Sequence, residues 1–254
     1  MMSLPLINYT LKAARRDRLI WIMTVTFALS VCMSLFMSSA VVTEKEIFAV
    51  VFMGGSMRLF AVIGIVLFVC FYVRRLFENR EIEYLLSRPI TRTAFVLSNA
   101  FALSVVALFF ALCAALAVGL SVYDPFSMSF ALWCVSFIVE LLVVVHAALF
   151  FSMVITSAAG SALATMGFYV FARMMGQLLG ISHGGVDLPG GELLNGVFTF
   201  ISMFIPRLDL LTQTSWLVYG VQDVQACALS IAHGLVIIPV LLFAAVFDLV
   251  RREF

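Results

Sequence analysis

Apolar runs separated by short polar stretches dominate this chain. They cover roughly 19–42, a second run ending at Val73, then 94–120, 129–155, 161–179 and 229–250. Each approximates the ~20 residues a helix needs to cross a bilayer. Strands of a membrane barrel would alternate apolar and polar residues instead of running unbroken. The pattern predicts an all-α polytopic membrane protein with six transmembrane helices, forming a single transmembrane domain over 1–254. The second helix is expected to begin somewhere between Ile47 and Leu59, with Gly54-Gly55 able to break it and Arg58 snorkelling toward the outer surface. Pro239 is expected to bend the last one.

The polar stretches add three features. Residues 4–18, LPLINYTLKAARRDR, are amphipathic, with Lys12, Arg15, Arg16 and Arg18 next to the first span. They read as an interfacial helix that runs into that span. Between the last two spans, 180–228 is too long for a turn. It starts rich in glycine, continues through an apolar piece at 193–205 that is too short to cross, and is stopped by Pro206. A second short amphipathic piece at 210–219 carries Trp216 and Tyr219 as interface anchors, so this external segment is expected to dip two short helices into the outer leaflet.

The third feature is 74–92, RRLFENREIEYLLSRPITR, the one charge-dense stretch, with five arginines and three glutamates. Its middle reads as a short helix with Ile82, Leu85 and Leu86 on one face and Arg80, Glu81 and Glu83 mostly elsewhere. Pro89 disfavours helical geometry at Arg88 and ends it; Thr91 or Thr93 can cap the next helix. Such a charged, sharply terminated helix suits docking of a soluble partner.

Composition agrees with the membrane reading: 64% of the 254 residues are hydrophobic and 11% charged, against about a quarter charged in globular chains. The distribution of charge sets the orientation. Eleven lysines and arginines fall in the N-terminal segment, the 74–92 loop and the C-terminus, against Lys45, Arg58 and Arg207 on the other side. By the positive-inside rule both termini and the 74–93 loop are expected in the cytoplasm, as in a multi-pass protein of the cell's inner membrane.

Candidate chemistry is sparse. Neither Lys12 nor Lys45 lies in a phosphate-binding glycine loop, so any ATP-driven process would need an ATPase on another polypeptide. The five cysteines lie mainly in apolar runs and read as small buried hydrophobes. His183, Asp187 and Glu192 lack metal-ligand spacing and read as a loop. Ionisable residues inside spans default to functional candidates, which singles out Glu140 and His146 in the fourth span and Arg173 in the fifth as a candidate translocation pathway. Glu140 and His146 face different ways around their helix. Arg173 can pair with Glu140 or reach an outer boundary.

The run Arg80-Glu81, then Glu83-Tyr84-Leu85-Leu86-Ser87-Arg88-Pro89-Ile90-Thr91-Arg92, resembles the loop after the second membrane helix of ABC-2 type transporter permeases. It departs from that pattern at Ile82-Glu83, where Gly-Thr is common, and at Asn99, where Lys is common. The six spans, the interfacial start, the short external helices and the ending Phe247-Asp248 with Arg251-Arg252 are similar too. The resemblance implies the permease subunit of an ABC exporter. A second permease copy, or a homologous permease, would complete the pathway, surrounded by membrane lipid. Two ATPase subunits, which bind the ATP and magnesium, would dock on Arg80, Glu81, Glu83, Leu85, Leu86, Ser87, Arg88, Pro89 and Arg92. The chain itself would hold no cofactor, bind no nucleic acid and catalyse nothing. The alternative is a membrane-embedded enzyme or assembly factor without an ATPase.

Overall fold

The structure is a computed structural model that describes residues 3–41, 44–79, 91–122, 124–183, 196–197, 200–202 and 205–251. The described residues are helical with irregular connections. In chain order the helices are α1 (Leu4–Arg16), α2 (Leu19–Ala40), α3 (Lys45–Glu78), α4 (Arg92–Gly119), α5 (Met128–Val154) and α6 (Ala158–His183). A 3-10 turn at Leu208–Leu210 follows, then the one-turn α7 (Trp216–Tyr219) and α8 (Val224–Arg251). Five of them, α2, α3, α4, α5 and α8, are long and apolar enough to cross a membrane. The chain is therefore a membrane-embedded, polytopic α-helical protein. α6 has the length, but Tyr169, Arg173 and Gln177 make it more polar than those five.

Local chemistry explains the boundaries. Thr91 caps α4, its side chain accepting from the Ala94 N–H, and Ser127 caps α5 in the same way through Phe130. Pro5 sits in the first turn of α1, where its missing N–H costs nothing. Residues Asp17-Arg18 form the elbow between α1 and α2, with Arg18 at φ 58°. Asp17 accepts from Arg75 near the end of α3, tying the elbow to that helix.

α3 departs from the expected second span at both ends. It runs unbroken through Gly54-Gly55 and continues past Val73 to Glu78, for 34 residues. That is about 51 Å at 1.5 Å per residue, well beyond the ~30 Å hydrocarbon layer. Gly54 is a place of close approach and no hinge: a Cβ there would lie 3.1 Å from Leu217 and 3.6 Å from Trp133.

One end of the bundle gathers the basic segments. Arg75 meets Asp17 there, and Arg92 at the start of α4 donates to the carbonyls of Leu249 and Val250 at the end of α8. α5 lies at the centre, with Trp133, Phe137, Leu141, Val145 and Ala148 fully buried and Trp133 stacked on Phe137 at 5.4 Å. α2 and α8 present apolar side chains outward, among them Trp21, Phe36, Val236 and Phe243. Outward apolar faces on long helices are what lipid contact demands.

Candidate functional site

The interior of the bundle holds a polar node at mid-length of α5. Glu140 lies close to the middle of that helix and is completely buried. The Tyr169 hydroxyl donates to its Oε1 at 2.9 Å, and Arg173 Nη1 donates to the same oxygen at 3.2 Å. Tyr169 and Arg173 are one turn apart on α6, so a single face of α6 supplies both groups. The pairing of Arg173 with Glu140 across helices is the arrangement the structure adopts.

Arg173 does more than balance Glu140. Its Nη1 also lies 2.6 Å from the Leu208 carbonyl and 3.0 Å from that of Leu211. Arg58, on α3, donates to the next carbonyl, Thr212, at 2.8 Å. It turns inward onto backbone instead of snorkelling to an outer surface. Thirteen residues separate it from the start of α3, about 20 Å along the helix axis.

These contacts place irregular backbone halfway down the bundle. From there residues 208–221 climb along α5: the Thr212 N–H donates to Ser136 Oγ at 3.1 Å, Thr214 and Leu217 lie over Gly54 beside Trp133, and the Val221 N–H donates to Ser129 Oγ at 3.0 Å. Asp209 lies against Gly176 of α6, where a Cβ would come 2.9 Å from its carboxyl carbon. Of the two short external helices expected, the second was placed over 210–219; there the structure has a 3-10 turn at Leu208–Leu210, a linker with Thr212 at φ 50°, and the single turn of α7. Leu208, Leu211 and Thr212 are buried, whereas Tyr219 is 76% exposed. Non-helical backbone is tolerated at membrane depth only where protein or a polar cavity satisfies it. Here two guanidinium groups and two serine hydroxyls do so.

The sequence carries a signal for this track. Ser129, Trp133, Ser136 and Glu140 recur at spacings of four, three and four, one polar stripe along an otherwise apolar helix. His146, the other ionisable candidate on α5, places its Nδ1 2.6 Å from its own Leu142 carbonyl, apart from the node.

No protein-family model matches this sequence, and no curated protein matches it. The residues themselves therefore carry the functional reading.

Five buried side-chain atoms along the track and at its start have no hydrogen-bond partner among the described residues: Trp133 Nε1, Glu140 Oε2, Arg207 Nε, Asp209 Oδ1 and Thr212 Oγ1. Beside the climbing segment, a cleft of about 380 Å³ separates it from α8, lined by Gln213, Trp216, Tyr219, Asp223, Cys227 and Ser230. The segment is held by polar anchors on one side and has free space on the other. Of the loop residues singled out for docking, Arg92 binds the end of α8. Arg80, Glu81, Glu83, Leu85, Leu86, Ser87, Arg88 and Pro89 lie outside the described residues, as do Asp187, Glu192 and most of 193–205.

Proposed function

We propose that this chain is the permease subunit of an ABC exporter of the ABC-2 type. It crosses the inner membrane six times, with α6 as the remaining span and both termini cytoplasmic. Two permease copies form the pathway, and two separate ATPase subunits dock beneath the 80–92 loops.

The observation that carries the reading is the unbroken course of α3. Its last turn leads directly into the Arg80–Arg92 motif, and Arg58 on the same helix grips the Thr212 carbonyl at mid-bundle. A push on the loop would move a rigid helix whose other arm holds the irregular segment. That is a lever between a docking site and a pathway element, the kind of rigid-body coupling that alternating access requires. The incomplete hydrogen bonding of Glu140, Thr212 and Trp133 supports a second arrangement of the segment, because a half-satisfied buried network is costly in any one state.

The test is purification of the full chain from its own membranes at native expression, with ATP hydrolysis as the readout. A stoichiometric ATP-hydrolysing partner is expected. A chain that purifies with no ATPase in any mild detergent would favour the membrane-embedded enzyme or assembly factor.

A further inference from the structure

Among the described residues, charge does not balance in the node. Three guanidinium groups, Arg58, Arg173 and Arg207, meet two carboxylates, Glu140 and Asp209. Glu140 is taken by Arg173, and Asp209 by Arg207 at 3.1 Å. Arg58 has no carboxylate partner among the described residues, and its single hydrogen bond, through Nη1, goes to the Thr212 carbonyl. Arg58 and Arg173 therefore hold consecutive carbonyls, Thr212 and Leu211, so two positive charges converge on one short stretch of backbone at mid-bundle, and Glu140 pairs with Arg173 alone. A surplus cation at this depth is costly unless a counter-charge or water meets it.

Neither arginine is sealed in. Arg58 is partly exposed, and the Arg173 side chain keeps 23% of its surface. One position from Arg58, Leu59 is exposed, and within a turn of Arg173 so are Val170 and Met174. A Cβ on Gly55, one turn before Arg58, would meet nothing within 4 Å. An approaching molecule would thus find a free guanidinium edge framed by apolar side chains.

We infer that Arg58, with Arg173 beside it, binds the anionic head of an amphiphile, a phosphate or carboxylate carried on an apolar tail. The unoccupied Nε and Nη2 donors of a guanidinium match two oxygens of such a group. The exposed leucine, valine and methionine suit the tail. As the substrate class of the proposed permease, this rests on that reading for its transport meaning, but the binding itself does not.

The experiment measures binding to the purified full chain without nucleotide or partner, so its outcome is separate from any failure to find an ATPase. The probe is a fluorescent single-chain alkyl phosphate, set against the same chain with a neutral head, and against inorganic phosphate as competitor. The alkyl phosphate should bind at least about tenfold more tightly than the neutral analogue, the scale of one charge-assisted hydrogen bond. Arg58→Gln should lose that preference and Arg58→Lys should keep part of it, with folding of each checked by its melting temperature. Inorganic phosphate should compete only weakly. Equal binding of the two heads by the wild-type protein would overturn the inference even if both variants failed to fold, and so would an unchanged preference in a folded Arg58→Gln. Strong competition by inorganic phosphate would overturn the amphiphile and leave a free-anion site.

Discussion

Two buried polar networks sit in this bundle, and they differ in kind. Toward the basic end, Thr10 of α1, Tyr72 of α3 and Asn99 of α4 meet: the Thr10 hydroxyl lies 3.0 Å from the Tyr72 oxygen and 2.9 Å from Asn99 Oδ1. Asn99 Nδ2 donates to its own Phe95 carbonyl at 3.0 Å. All three groups are neutral, all come from regular helices, and none of their side-chain atoms is left without a partner. The node at Glu140 is charged, binds irregular backbone and leaves buried polar atoms unmet among the described residues. A closed neutral network fixes helices against each other. An open charged one leaves part of its desolvation cost unmet.

The largest expected effect breaks the charged network. Glu140→Gln leaves Arg173 without its counter-charge, and removing one member of a buried pair costs about 3–5 kcal/mol. Folded yield and melting temperature should fall sharply. Near wild-type stability would show that the pair with Arg173 does not hold the fold.

Thr10→Val should cost less, about 1 kcal/mol, because it removes one neutral hydroxyl and keeps shape. Combined with Glu140→Gln, its effect on melting should add to within about 0.5 kcal/mol if the networks are independent. Tyr169→Phe, by contrast, should couple to Glu140→Gln, since both act on one oxygen.

Glycine substitutions sharpen the contrast further. Gly176→Ala should destabilise by about 1–3 kcal/mol by pushing Asp209 and the climbing segment away. Gly55→Ala, on the same helix as Gly54 but facing open space, should be neutral or stabilising by up to about 1 kcal/mol. Chemical melts of both in one detergent check the pair.

The same contrast explains what the sequence could reveal. The helices of the neutral network were legible, because apolar periodicity and capping residues are local: Thr91 caps α4 as expected, and α1 ends next to its arginines. Asn99 fills a slot beside Thr10 and Tyr72, a pairing that no local pattern announces. The node was only half legible. Glu140 and Arg173 stood out as charges in apolar helices, but Arg58 looked like a boundary residue because its partner is a carbonyl 154 residues away. Segment 208–221 has no period of its own. Its path is dictated by side chains of α3, α5 and α6, and no local pattern records that. Gly54-Gly55 was ambiguous for the same reason: a glycine pair can mean a break or a close approach, and only Leu217 and Trp133 decide.

The central claim is that the 80–92 loop receives a separate ATPase and that α3 carries its motion to the node. The most direct test reverses Glu81 and Glu83 to arginine in the full chain and measures ATPase association and transport beside the melting temperature. The claim predicts lost association, or hydrolysis that no longer drives transport, with the melting temperature unchanged. Unaltered association and unaltered coupling in the doubly reversed protein would contradict it.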